Sequence, residues 1–339
     1  MSLDTDISIW LSLVFIVGGL YVLAKSADMF VGAAEKIARH FGLSPLVVGM
    51  VIIGFGTSAP ELAVSAISAS GGHSNLSLGN AYGSCVFNIG AILGITALIW
   101  PIRVKPSVNW FAVPLLALIT VLSWVVVGDG EFERTNGIVL LCAFVVLLPL
   151  YCWFDQRNGE TAGSAAQDRR APPPSSAAHG GLWREWCMLI AGLSLLVTSS
   201  HVLVWGSVDF SRDVLHVSEL VIGLTIVAAG TSLPELASAI VSARKGENEF
   251  VIGNIIGSNF FNTLAVVGLA GTISPFSDFG ENIIRRDLPS MLAFTLLIAV
   301  FGVNLRHPKQ PGCITRWKGV VWLLLFLVYV IWMIAGEVK

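Results

Sequence analysis

"GTSAPE" at Gly56–Glu61 and "GTSLPE" at Gly230–Glu235 each place a glutamate, behind the same Gly-Thr-Ser-X-Pro, in the middle of an apolar run. An ionisable side chain at the centre of a membrane-spanning helix costs about 2.5–3.5 kcal/mol on insertion scales, so it is functional by default. The proline supplies no N–H to the carbonyl four residues back, Gly56 or Gly230, and its ring clashes with that carbonyl. Gly54 and Gly56 weaken the first helix further. Each motif therefore predicts a broken helix with freed carbonyl oxygens. Thr57 and Glu61 are four apart and share a face with Ser58 close by; Thr231, Ser232 and Glu235 repeat the arrangement.

The repetition extends well beyond the motif. An offset of 174 residues carries Glu61 to Glu235, Gly32 to Gly206, Ser44 to Ser218 and Gly49 to Gly223. It also carries Asn80 to Asn254, Ser84 to Ser258, Asn88 to Asn262 and Pro101 to Pro275 without a gap. The chain is read as a duplication. The stretch after each broken helix, "GNAYGSCVFN" and "GNIIGSNFFN", holds Gly79/Gly83 and Gly253/Gly257, GxxxG pairs that permit close helix approach. Ser84 with Asn88, and Ser258 with Asn262, again share a face at a spacing of four.

The 339 residues are 55% hydrophobic and only 12% charged, about half the charge of a soluble domain. This predicts an all-α polytopic membrane protein in a lipid bilayer. No basic field points to nucleic acid. Ten spans of roughly 20 apolar residues are expected. The first set falls at about 7–38, 44–70, 76–99, 107–127 and 136–154, the second at about 184–215, 218–243, 250–273, 288–304 and 318–336. The first repeat is thus assigned to 1–154, a flexible cytoplasmic linker to 155–183, and the second repeat to 184–339. The polar, Gly-, Ser-, Ala- and Pro-rich stretch Arg157–Gly181 sets the linker. Five spans per repeat turns the second copy upside down, the inverted arrangement of many secondary transporters.

With the N-terminus outside, 14 of the 20 lysines and arginines lie in inside loops, five outside, and Lys25 within the first span. The positive-inside rule therefore places both termini outside the cell and the linker in the cytoplasm of an inner (plasma) membrane. The first ten residues lack the basic start of a cleavable signal peptide. The five cysteines show no CxxC spacing, which argues against a thiolate metal site.

The candidate ligand-binding set is Glu61, Glu235, Thr57, Thr231, Ser58, Ser232, Ser84, Ser258, Asn88 and Asn262. All offer hard oxygen atoms, which suit Ca²⁺ with its six to eight oxygens at about 2.3–2.6 Å. Two carboxylates balance its charge. No His or Cys lies in either GTSxPE motif, against Zn or Cu, and Mg²⁺ resists the dehydration such a site requires. No cofactor is expected, and no protein partner is assigned.

The doubled motif resembles the two α-repeats of the Ca²⁺/cation antiporter superfamily, the sodium/calcium exchangers, and the prokaryotic branch most. The resemblance covers essentially the whole chain. It implies ten helices and a central site where the second, third, seventh and eighth meet. Ca²⁺ would bind Glu61 and Glu235 with the carbonyls of Thr57 and Thr231. Na⁺ would use Glu61, Glu235, Ser58, Ser84, Ser232 and Ser258, with carbonyls near Gly54 and Ala228. The first and sixth helices would slide across the rest. Some relatives carry aspartate where this chain has Asn262; here both equivalents are amides, which leaves the charge and number of co-ions open. The function expected is Na⁺/Ca²⁺ antiport. A H⁺/Ca²⁺ antiporter, a cation channel and an intramembrane enzyme using the carboxylate pair are the alternatives. The last finds no evident nucleophile or substrate cleft.

Overall fold

The computed structural model describes residues 3–72, 74–161, 182–213, 228–277 and 282–337. The helices are α1 (Leu3–Phe41), α2 (Pro45–Thr57) and α3 (Ala59–Ser70), α4 (Ser77–Ile99) and α5 (Val108–Val127), and α6 (Arg134–Thr161). They continue as α7 (Leu182–Asp213), α8 (Ala228–Gly230), α9 (Leu233–Arg244), α10 (Asn248–Ile273), α11 (Leu288–Gly302) and α12 (Arg316–Glu337). Four short strands accompany them, β1 (Ile102–Val104), β2 (Glu131–Phe132), β3 (Phe276–Ser277) and β4 (Gly312–Ile314).

Seven of these helices are long and apolar enough to cross a membrane, and the bent α2–α3 pair makes an eighth. Ten spans were expected. The expected span at 218–243 is described only from Ala228, as α8 and α9; its first part, with Ser218 and Gly223, lies outside the described residues. The expected span at 288–304 is α11, which continues without a break from a helical turn on its N-terminal side. A π-helical turn at Ile283–Asp287 precedes it and carries Arg285, Arg286 and Asp287. Helix α6 continues to Thr161, past the boundary expected at 154, and the rest of the expected linker lies outside the described residues up to Leu182.

Helix α10 is buried along its length and α4 over most of its own, whereas α6 and α12 are largely exposed. The exposed side chains are those lipid wants, such as Val125, Val145, Leu324 and Val328. Exposed tryptophans stand near helix ends at Trp10, Trp153, Trp183, Trp317 and Trp332, as membrane-interface anchors do.

Two helices form a unit of their own. α1 and α7 pack antiparallel: Gly19 meets Leu203, Gly192 meets Phe30, and Gly206 meets Phe15. At one end Lys36 pairs with Glu185 at 3.2 Å. This unit touches the remainder mainly through α1 on α9, where the Arg244 guanidinium lies 2.6 Å from both carboxylate oxygens of Asp28. Lys245 adds a bond of 3.2 Å to the Asp28 carbonyl.

The strands fix which ends lie together. β1 pairs antiparallel with β4 and β2 with β3. α5 runs from β1 to β2, so the two sheets mark opposite ends of the bundle. α4 ends at β1. α10 starts at the β1 end, where Asn248 accepts from the Arg103 N–H and Glu249 pairs with Lys105 at 2.7 Å, and it finishes at β3. The sequence-equivalent helices α4 and α10 therefore run in opposite directions.

The second GxxxG pair makes the close approach its spacing predicts. α10 crosses α2 so tightly that a Cβ on Gly253 would lie 2.5 Å from the Leu46 carbonyl, and one on Gly257 2.4 Å from that of Met50. Gly79 and Gly83 meet no described atom within 4 Å and instead line a cavity. Overpacking costs about 1–3 kcal/mol. Gly257→Ala is therefore expected to lower the melting temperature in detergent by several degrees. Gly18→Ala, with nothing within 4 Å of its added Cβ, should not, and a scanning fluorescence melt of both variants checks this.

Candidate cation-binding site

The helix breaks fall at the serines. Ser58, between α2 and α3, has φ −83 and ψ 2, and Ser232, just before α9, has φ −94 and ψ 9. Both lie in the sparsely populated bridge region where many active-site residues sit. Pro60 and Pro234 stand at the second position of the helix that resumes, where a missing N–H does least harm. The bend between α2 and α3 is 44°. Glu61 and Glu235 thus occupy the first turn after each break, where orphan N–H groups and the helix dipole favour a carboxylate.

Both glutamates are sealed from solvent, at 0% and 1% exposure. Their partners come from the opposite half of the chain. Ser58 Oγ donates to Glu235 Oε1 at 3.1 Å, and Ser232 Oγ donates to Glu61 Oε1 at 3.4 Å. Among the described residues neither carboxylate forms an ion pair. Each keeps a second oxygen, Oε2, that is buried without a hydrogen-bond partner. In α4 and α10, Asn88 and Asn262 are fully buried, and no amide atom of either has a partner. Both sit at π-helical turns, Asn88–Ile92 and Phe261–Val266, which occur often at functional positions.

An unsatisfied buried polar atom costs about 1–3 kcal/mol. Four oxygens in this state, two of them from carboxylates, are chemically suited to a positively charged occupant. The two Asn amide nitrogens cannot ligate a cation and would serve carbonyl or water oxygens. Among the described residues no cluster of three His, Cys, Asp or Glu could hold a metal, so the donors here are an all-oxygen set drawn from both halves.

The remaining expected residues are placed as follows. Thr57 is buried, its hydroxyl 3.0 Å from the Ile53 carbonyl and 3.3 Å from Asn254 Oδ1. Ser258 donates to the Gly54 carbonyl at 3.4 Å; that carbonyl also accepts the Ser58 N–H at 3.1 Å, so the break does not free it. Ser84 is buried on the wall of a cavity of about 290 Å³ that also touches Asn80, Phe87, Tyr329 and Met333. Thr231 is half-buried.

Three features went unassigned in the sequence. The carbonyl of Gly230, freed by Pro234, accepts a bond of 2.8 Å from Ser200 of α7. Its counterpart by the 174 offset, Ser26 of α1, bonds its own helix at Val22, so the α1–α7 unit sits unequally on the two breaks. Asn80 and Asn254 donate to the main-chain carbonyls of Glu61 and Glu235; the offset had marked this pair without a role. Cys85 and Asn259, another offset pair, meet where α4 crosses α10, Asn259 donating to the Cys85 carbonyl at 3.1 Å.

Comparison with known proteins places the chain in a family. The chain matches the sodium/calcium exchanger protein family over residues 11–153 and 184–335. It is 37% identical over 317 residues to the putative antiporter CaxA of Alkalimonas amylolytica, covering 93% of this chain and 96% of that protein. It is 36% identical over 304 residues to the inner membrane protein YrbG of Escherichia coli K12, covering 89% and 91%. Among solved structures, the sodium-calcium exchanger NCX_Mj soaked without Na⁺ and Ca²⁺ superposes with a TM-score of 0.78 at 29% identity, covering 94% of this chain and 98% of that one. A family match across both halves of a chain that buries two cross-bonded glutamates leads to one conclusion: this protein belongs to the sodium/calcium exchanger family, whose members are transporters.

Proposed function

We propose that the chain exchanges Ca²⁺ for Na⁺ across the inner membrane by alternating access, and that residues 1–154 and 184–339 are inverted five-helix repeats of one exchanger. The observation that carries the proposal is the pair of buried carboxylates, each held by a serine of the other half and each with an unpartnered oxygen. Two carboxylates neutralise one Ca²⁺ or two Na⁺. Glu61, Glu235, Asn88, Asn262 and the carbonyls beside the breaks supply the oxygens for Ca²⁺, and Ser58, Ser84, Ser232 and Ser258 supply neutral oxygens suited to Na⁺.

Access is read from the cavity beside Ser84. Its wall includes Tyr329 and Met333, in the half of α12 remote from β4, so it approaches the site from the end marked by β2 and β3. At the other end, Asp28 with Arg244 and Lys245 holds the α1–α7 unit against α9. Sliding of that unit would close one route and open the other. The basic residues Arg103, Lys105, Arg306, Lys309, Arg316 and Lys318 gather at the β1–β4 end, which assigns that end to the cytoplasm.

Three outcomes are expected. Glu61→Gln or Glu235→Gln should reduce Ca²⁺ flux in proteoliposomes at least about 100-fold. Removing one of two carboxylate charges about 4 Å from a divalent cation forfeits about 8 kcal/mol of Coulomb energy at an effective dielectric of 20. Near-normal flux in either folded variant overturns the site. With pH clamped, Ca²⁺ efflux should rise steeply with external Na⁺, and Ser84→Ala or Ser258→Ala should weaken that dependence. If a pH gradient drives Ca²⁺ in Na⁺-free medium and Na⁺ changes nothing, protons are the co-ion. For topology, a cysteine replacing the exposed Lys309, and the native Cys313 beside it, should react with an impermeant thiol reagent only from the cytoplasmic side. Labelling in sealed right-side-out cells inverts the assignment.

A further inference from the structure

We propose that Asn80 and Asn254 are positioning residues for the two cargo carboxylates, holding Glu61 and Glu235 by their main-chain carbonyls without touching the cargo. The inference rests on the exchanger reading above. Asn254 of α10 is 1% exposed and donates Nδ2 to the Glu235 carbonyl at 3.1 Å. Asn80 of α4 donates Nδ2 to the Glu61 carbonyl at 3.3 Å. The same side-chain atom thus meets the same main-chain atom in both halves, at positions 19 residues after each glutamate. Two independent packing accidents would not reproduce both the residue and the bond.

The contrast with the second pair of amides is what defines the role. Asn88 and Asn262 lie eight residues further along the same helices and leave every amide atom unpartnered, as groups facing cargo would. Asn254 leaves none: its nitrogen serves Glu235, and its oxygen lies 3.3 Å from the Thr57 hydroxyl of α2. Asn80 divides its nitrogen between the Glu61 carbonyl and Ser65 Oγ, 3.2 Å away. These side chains join the glutamate-bearing helix to the helix that carries Ser84 and Asn88, or Ser258 and Asn262.

The need for such a tie follows from the helix break. A glutamate one turn after a break is not held in register by the helix before it, because the bend at Ser58 or Ser232 can open or twist. A bond from the neighbouring helix to the glutamate's own carbonyl fixes the height of the carboxylate against the amide and hydroxyl oxygens of that neighbour. Asn254 also reaches Thr57, in the other half, whereas Asn80 stays within its own half. Loss of Asn254 is therefore expected to weaken binding more than loss of Asn80.

Replacement of Asn by Asp tests this, because it keeps the shape, removes the donor and sets a carboxylate oxygen against a carbonyl oxygen. Purified protein in detergent would be titrated with Ca²⁺ and separately with Na⁺, following cation-dependent thermal stabilisation, and Ca²⁺ flux would be measured in proteoliposomes. Asn254→Asp and Asn254→Ala should weaken apparent Ca²⁺ affinity about five- to tenfold, the size of one buried hydrogen bond, with maximal flux changed less than about twofold. Because Asn254 is sealed in the core, the half-buried Asn80→Asp is the second variant, with an expected loss of about threefold. Tighter Ca²⁺ binding in either Asp variant would make the residue a cargo ligand and overturn the proposal. Unchanged affinity in the Asp and Ala variants alike would overturn it too. If the parent protein is stabilised by neither cation, the exchanger reading itself has failed, a result distinct from a parent that responds and variants that match it.

Discussion

Two carboxylates buried in the interior of a membrane protein, with no basic side chain among the described residues paired to either, set the terms for everything around them. A carboxylate in such a place must be neutralised, by a proton or by a cation. The fold's own contribution is modest: one serine hydroxyl to each glutamate, from the opposite half. That is enough to hold the side chains and too little to satisfy them. In the proposed exchanger the residual demand is what binds cargo. A basic residue in contact would have quenched the charge and turned the site into structure.

The broken helices answer the same demand. In lipid, irregular backbone is tolerated only where protein or water satisfies it, and here the breaks at Ser58 and Ser232 are enclosed by α4, α10 and the α1–α7 unit. Ser200 of α7 holds the Gly230 carbonyl, a freed oxygen whose hydroxyl partner the proposed sliding of the α1–α7 unit would withdraw. Close crossing of α2 on α10 through Gly253 and Gly257 brings the halves near enough for Ser58 to reach Glu235. The glycines matter to the chemistry through distance, with no side chain of their own to offer.

Much of this was legible in the sequence because it is local and because it occurs twice. The Pro-dependent break, the shared face of Thr57 and Glu61, and the four-residue spacing of Ser84 with Asn88 need only one helix to be read. The 174-residue offset then multiplies the confidence of each reading. What the sequence hid depends on docking. No spacing says that Ser58, three residues from Glu61, bonds Glu235 instead. Nor does any spacing say that Asn80 reaches back to a carbonyl, or that Gly79 and Gly83 border a cavity while their counterparts are packed shut. The count of spans was harder still, because the continuous helix that leads into α11 spends its first turn on Arg285, Arg286 and Asp287.

The departures from the repeat carry information that the repeat cannot. An exchanger with identical halves would have two mirror-related access states of equal energy. In this chain the offset turns Asp28 into Val202, and Arg244 and Lys245 into Ser70 and Gly71. The ion pairs that hold α1 against α9 at the β1–β4 end therefore have no equivalent at the other end. On the proposed alternating access, they favour the arrangement in which that end is shut and the cavity beside Ser84 is open. The residues are partly exposed, with 53% and 33% of the Arg244 and Asp28 side chains accessible, so the bias is of the order of 1 kcal/mol or less. That scale is compatible with transport. A ligand moves a two-state equilibrium only by its differential affinity for the two states, and a bias this small can be overcome by the difference between a site holding cargo and one that does not. A deeply buried latch would have fixed one state instead.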